Sequence, residues 1–166
     1  SNMGHAIYQG DLVIVTTAGN IEKYNNTNNS AGLSTAAVGV FNGVFYTDPT
    51  TQKPTYSNYY PGGIAASDIT AFVIDDPDAV FLIDADAAFT RADLYKNYSV
   101  TNTTGVTQTG LSKQQLDVSV SGTATTFAIQ AIDICQDPDN SDTSSANANI
   151  LVRINNHFFR SGTGIA

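Results

Sequence analysis

The feature that most constrains the fold is the recurrence of short runs of β-branched and aromatic residues, separated by turn residues, along most of the chain. Such runs favour strands, and they are too short for helices of ordinary length. They occupy residues 11–17, 37–41, 44–47, 69–74, 79–84, 116–120, 127–134 and 150–160. The pattern predicts an all-β fold: a single-domain antiparallel β-barrel or sandwich with long polar loops and at most one short helix.

Two local patterns predict particular elements. Asn42-Gly43 lies between two apolar runs, and Asn-Gly tolerates the positive φ angles of a type I′ turn, so a β-hairpin is expected there. Ala87–Tyr98 is the only stretch that suggests a helix, of one to three turns.

The predicted domain covers residues 10–160, with an N-terminal arm at 1–9 and a tail at 161–166. The segments Ser1–Gln9 and Asn25–Ser34 resemble arms that become ordered on contact with neighbouring molecules. The polar loop Gln136–Asn147 is expected to be mobile.

The charge pattern argues against two classes of partner. The chain carries seven basic and fifteen acidic residues, with a net charge of −8. A nucleic-acid-binding protein needs a basic surface to displace phosphate counterions, and anionic membranes also attract basic segments. We therefore expect neither a nucleic-acid nor a membrane partner.

The sequence contains no recognisable catalytic group. Its only histidines, His5 and His157, lie near the N-terminus and in the last predicted strand, and no nucleophile occurs in a known motif. Cys135 follows an apolar run, where a free cysteine usually packs as a small hydrophobic side chain. We expect no catalytic residue, no cofactor and no enzymatic activity.

Two clusters of aspartates leave alternatives open. The first consists of Asp75, Asp76 and Asp78 around one proline, together with Asp84 and Asp86; the second consists of Asp137, Asp139 and Asp142 around another proline. Such residues favour solvated turns; the alternatives are a cation site and a pair of catalytic carboxylates. The second cluster lacks the Gly and the distal Glu of an EF-hand loop. The turn interpretation is preferred, and no metal site is assigned.

Aromatic residues supply the candidate contacts. Tyr56, Tyr59 and Tyr60 precede Pro61-Gly62-Gly63, and Phe158 and Phe159 lie near the end of the last predicted strand. Aromatic side chains fill β cores and anchor protein interfaces. An aromatic platform for carbohydrate is the alternative, although the chain has no Trp.

Several segments resemble a known class of protein, the small structural proteins of tailed bacteriophages, particularly those of marine phages. The resemblance extends from Ile7 to about Arg160 as a pattern of short β segments, without a catalytic motif. It is carried by Gly10–Val13, Ala37–Phe41, Phe45–Thr50, Tyr56–Pro61 and Phe72–Phe81.

The resemblance implies a head decoration (cement) protein, a virion structural protein on the outer surface of the phage head. Its partner would be the major capsid protein lattice, which it would bind and stabilise. Self-association as a trimer or another homo-oligomer is also compatible. The five aromatic residues named above are the candidate contacts. The alternative is a carbohydrate- or receptor-binding β module of a phage fibre or a secreted bacterial protein.

Overall fold

The computed structural model describes residues 5–25 and 36–160. Within these residues the chain forms twelve β-strands and two single turns of 3-10 helix, Arg91–Asp93 and Pro138–Asn140. The strands are β1 (Ile7–Tyr8), β2 (Leu12–Val15), β3 (Ile21–Lys23), β4 (Ala37–Thr47), β5 (Pro54–Ser57), β6 (Tyr59–Tyr60), β7 (Thr70–Ile74), β8 (Val80–Asp84), β9 (Asn97–Val100), β10 (Leu116–Gly122), β11 (Ile129–Ile134) and β12 (Asn149–Ile154).

The first large sheet, sheet I, is built around the long strand β4. One edge of β4 pairs with β2 near its start and with β5 near its end, while the other edge pairs with β7; β3 continues the sheet beyond β2. All of these pairs are antiparallel. Gly39 allows β7 to approach, because a Cβ there would collide with the carbonyl oxygen of Ile74.

The second large sheet, sheet II, has the strand order β10-β9-β11-β12-β8, again with antiparallel pairs. Its first and last members, β10 and β8, have no strand paired along their outer edges among the described residues, but they meet at one end, where Leu116 of β10 forms a parallel bridge with Ala85, directly after β8. The consecutive strands β7 and β8 belong to different sheets, so the turn between them links sheet I to sheet II.

The two sheets pack face to face as a β-sandwich around one apolar core. Sheet I contributes Leu12, Ile14 and Ala37, and sheet II contributes a larger set of buried side chains. That set includes Tyr98, Val100, Leu116, Ile129, Ala131, Ile150, Val152 and Ile154. Alternation along the strands brings these residues to the inner faces.

A second apolar cluster lies on the opposite face of sheet I. Val13, Val38, Phe41 and Val44 point to this side, where Ile7 of β1 and Tyr60 of β6 cover them. β1 and β6 form a small antiparallel sheet of their own, with Ile7 opposite Tyr60. Sheet I is therefore apolar on both faces.

The all-β prediction is confirmed, but the hairpin at Asn42-Gly43 is wrong. β4 runs straight through these residues with a bulge between Phe41 and Gly43. Asn42 is the extra residue: its side-chain oxygen accepts a hydrogen bond from Gln9 at 2.9 Å and its carbonyl accepts one from Tyr56 at 3.2 Å. Pairing of β4 with three neighbours outweighs the local preference of Asn-Gly for a turn.

The helix predicted at Ala87–Tyr98 is only a single 3-10 turn, and the prediction is wrong for the rest of this stretch. Thr90 and Asp93 form a capping box, but the turn ends at Leu94, which is extended. Tyr95 has a φ of 64° and Asn97 already belongs to β9. The last strand ends at Ile154 rather than at Arg160.

The predicted arms fall partly outside the described residues, which exclude 1–4, 26–35 and 161–166. Ile7 and Tyr8 are not part of a free arm, because they form β1 and are buried. The loop after β11 is held in place by Asn140. This buried side chain donates to the carbonyls of Cys135 and Asn149 and accepts from the Asn149 N–H, at 2.7–2.9 Å.

Candidate protein-binding surface

Four large apolar side chains form an exposed patch at one side of sheet I. Phe45 of β4, Tyr56 of β5, and Phe72 and Ile74 of β7 are all exposed, Tyr56 to 63%. The Tyr56 and Phe72 rings lie 5.9 Å apart at an angle of 50°. We call these four residues the ledge.

The ledge lies on the face of sheet I that carries sheet II. Cross-strand partners share a face, and Ile74 is the partner of Val40, which packs against the core between the sheets. Phe72 has the same orientation as Ile74 because the two are two residues apart on one strand. Sheet I thus extends beyond the area that sheet II covers.

The neighbouring edge of sheet II is the free edge of β8. β12 pairs with one side of β8; among the described residues the other side is free over residues 80–83, and just beyond it Ala85 bridges Leu116 of β10. Phe81 and Ile83 pack inward, whereas Val80 and Leu82 are 55% and 57% exposed on the outer face. An apolar edge strand of this kind is a template for pairing with another chain.

A cavity of about 370 Å³ lies between the two sheets beside β8. Leu12 and Val40 line it from sheet I, and residues 81–84 of β8 line it from sheet II. Leu111 and Ser112 also contribute to its wall. Since Val40 is the cross-strand partner of Ile74, the cavity adjoins the ledge.

Acidic side chains surround this region. Asp75 and Asp76 precede β8 and Asp84 ends it, and all three are exposed. Within the described part of the chain none of them forms an ion pair, whereas Asp78 pairs with Arg160. Asp68, near the start of β7, accepts a hydrogen bond from the Thr47 hydroxyl, which lowers the pKa of the Asp68 carboxyl. The region therefore favours cationic groups.

The five candidate contact residues from the sequence lie in different environments. Tyr56 belongs to the ledge, and Phe159 is 59% exposed near the β7–β8 turn, next to Arg160. Tyr60 is 0% exposed and is a core residue. Tyr59 stacks on Tyr8 with ring centroids 5.6 Å apart, and Phe158 packs against the second cluster. Only Tyr56 and Phe159 present most of their side chains to solvent.

Phe45, Phe72, Ile74, Val80 and Leu82 were not singled out from the sequence. Their runs are strongly apolar, and an apolar run does not show which of its residues face solvent. The available signal was the set of aspartates at the ends of both runs, because acidic residues flanking an apolar strand are typical of an edge.

The two histidines lie in different environments. His5 is exposed, and His157 is buried beside Ala37. Its Nδ1 accepts a hydrogen bond from the Phe159 N–H at 3.2 Å. Burial and the Arg160 guanidinium lower the pKa of His157, partly opposed by Asp75 and Asp76, so the imidazole is neutral at pH 7.

The aspartate clusters form turns. Asp76 accepts from the Asp78 N–H at 2.8 Å, Asp137 from the Asp139 N–H at 3.2 Å, and Asp142 from the Ser144 N–H and hydroxyl. These are the local hydrogen bonds expected of Asx turns. Across residues 5–25 and 36–160, no three His, Cys, Asp or Glu side chains are grouped as metal ligands would be.

No protein-family model, curated protein or solved structure matches this chain. The resemblance to phage structural proteins therefore depends on the sequence segments named above. No helix among the described residues has the length and apolar character needed to cross a membrane.

Proposed function

We propose that this protein is a virion structural protein that binds the outside of an assembled phage capsid and stabilises it. The observation that supports a binding role is the apolar ledge beside the free edge of β8. A monomeric soluble protein rarely leaves such a patch uncovered unless a partner binds there. The ledge also offers aromatic anchors, which supply much of the affinity in protein interfaces.

A binding role of this kind requires no reactive group. A protein that binds the assembled lattice but not its separated subunits stabilises the lattice by mass action. The neutral, buried His157 and the turn-forming aspartates are consistent with a non-enzymatic role. The sequence resemblance supports the identification of the partner as a phage capsid.

The direct test is co-sedimentation of the purified chain with phage capsids that lack their decoration protein. We expect saturable binding and a higher melting temperature for the decorated capsids. The Tyr56→Ser, Phe72→Thr double variant should fold normally and bind at least about tenfold more weakly, since losing two interface anchors costs more than 1.4 kcal/mol.

The matched control is Tyr95→Asn, which removes an equally exposed aromatic side chain outside the ledge. Asn tolerates the positive φ at this position. We expect unchanged capsid binding. Absence of saturable binding by the unmodified chain to any capsid of the source phage would refute the proposal.

The exposed aromatic residues of the ledge also support a second candidate, a carbohydrate- or receptor-binding module. A glycan array separates the two functions. Specific glycan binding that depends on Tyr56, together with no binding to capsids, would establish the second function and exclude the first.

A further inference from the structure

The sandwich is incomplete on the side of β7 and β8. The ledge is the part of sheet I that sheet II leaves uncovered, and it includes Phe72 and Ile74 on the inner face of β7. One further strand alongside β8 would lie over the ledge just as sheet II lies over the rest of sheet I.

The backbone of β8 is oriented to accept such a strand. Ala85, directly after β8, donates its N–H to the carbonyl of Ala148, the residue directly before β12. Because N–H groups alternate in direction along a strand, those of Phe81 and Ile83 also point to β12. The N–H of Leu82 consequently points to the free edge, whereas Asp84 lies beside the bridge between Ala85 and Leu116.

The space beside β8 suits apolar side chains. An added strand would direct alternate side chains towards the ledge and the mouth of the 370 Å³ cavity. The remaining side chains of the added strand would lie on the outer face, beside Val80 and Leu82. Both rows of contacts are apolar, so the incoming segment needs β-branched or other apolar residues in its centre.

Charge decides which partner fits. Asp75 and Asp76 lie at one end of β8 and Asp84 at the other, and none of the three forms an ion pair within the described residues. A second copy of this chain, with a net charge of −8, would bring like charges together. A segment with Lys or Arg on both sides of its apolar centre would instead pair with these carboxylates.

We propose that the free edge of β8 and the adjoining ledge bind an extended, basic, apolar-centred segment of a partner protein, which adds to sheet II as a further strand. This inference deepens the proposed function and rests on it for the identity of the partner, which would be an extended segment of the capsid protein. The backbone supplies hydrogen bonds, the ledge supplies apolar contacts, and the aspartates select for basic flanks.

The test uses the full chain and a capped nine-residue peptide in which Val and Thr alternate between terminal lysines. The control peptide carries glutamates in place of the lysines. Binding is measured by NMR titration and by hydrogen exchange. We expect the lysine peptide to bind, to slow exchange of the Leu82 amide, and to leave the Phe81 and Ile83 amides unchanged.

Three variants separate the contributions. Leu82→Pro removes a donor from the free edge, a position at which strands tolerate proline, and should weaken peptide binding at least about tenfold. Leu82→Thr keeps this donor and should weaken binding less. Asp75→Asn with Asp76→Asn and Asp84→Asn should abolish the preference for lysine over glutamate.

The outcomes distinguish this inference from the proposed function. Peptide binding with protection of Leu82 supports the inference even if capsid binding fails, in which case the phage partner is wrong. Equal binding of both peptides, or binding without protection of Leu82, overturns it. So does a dimer of the unmodified chain, seen by light scattering, that Leu82→Pro dissociates, because the edge then binds a second copy.

Discussion

The two edge strands of sheet II differ in how they meet solvent. At one edge, β10 pairs with β9 through a large bulge: its register shifts between Asp117 and Ser121. Val118 donates its N–H to Asp86 at 2.9 Å, and Ser119 donates to Asp117. Side-chain oxygens thus satisfy part of the β10 backbone.

At the other edge, β8 is regular over its full length. It pairs with β12 without a register shift, from Val80 opposite Arg153 to Asp84 opposite Asn149. Its outer face carries Val80 and Leu82. A bulge protects an edge against pairing with other chains, whereas a regular apolar edge invites it. The difference indicates that β8, rather than β10, is the edge available to a partner.

The largest effect should come from the inner face of sheet II, where β12 pairs with β8. Ile150 is fully buried opposite Ile83, so Ile150→Ala should lower the free energy of unfolding by about 2–5 kcal/mol. Leu82→Ala, on the outer face of the neighbouring strand β8, should change it by less than about 0.5 kcal/mol. Urea denaturation measures both. A large loss for Leu82→Ala would mean that this side chain stabilises the fold instead of being free for binding.

A smaller effect should follow from releasing the bulge of β10. Asp86→Ala removes the acceptor of the Val118 N–H and should cost about 1.5–3 kcal/mol, as for hydrogen bonds to charged groups. Amide exchange should accelerate at residues 118–120. The control is Asp84→Ala, two residues earlier and exposed, with little expected change. Unchanged exchange in Asp86→Ala would show that this carboxylate does not hold the bulge.

A third test asks whether the aspartates keep the β8 edge from pairing with itself. Replacing Asp75, Asp76 and Asp84 with Asn should promote self-association, with each removed like-charge contact contributing about 0.2–1 kcal/mol. Light scattering should detect dimers, and adding Leu82→Lys should return the variant to the monomer. Val120→Lys on β10 is the control. If it dissociates the dimers equally, the two edges do not differ as we infer.

The sequence predicted the strands better than their arrangement. The runs at 69–74 and 79–84 predicted β7 and β8 closely, because β-branched residues bounded by turn residues are a local signal. The hairpin predicted at Asn42-Gly43 was wrong because the pairing of β4 with β2, β5 and β7 is non-local. Strand order is non-local too, and this order makes β8 an edge.

The same limit applies to the candidate surface. Tyr56 and Tyr60 lie in one aromatic segment, yet Tyr56 is exposed and Tyr60 is buried under β1. Their difference depends on which strands cover the segment, which composition does not encode. The aspartates flanking β8 were visible in the sequence, but their meaning as the ends of an unpaired edge required the fold.

The smallest effect should come from pH, and it should be confined to the β8 side. Burial and Arg160 lower the pKa of His157 below its usual 6.5 in the folded state, so the unfolded chain binds a proton more readily. The neutral imidazole therefore stabilises the fold fully above pH 6.5, and this contribution is lost as the pH falls from 6.5 through the lowered pKa. Protonation also removes the acceptor of the Phe159 N–H.

This titration should loosen the turn before β8 without affecting β10, because Asp75 and Asp76 are the carboxylates whose charges act on His157. Amide exchange at residues 75–79 should therefore accelerate between pH 7 and pH 5.5 relative to the intrinsic rate, while exchange at 118–120 should follow the intrinsic rate. His157→Gln should abolish the difference between the two edges. If the difference persists in that variant, another group on the β8 side controls it, and the contrast between the edges does not depend on this histidine.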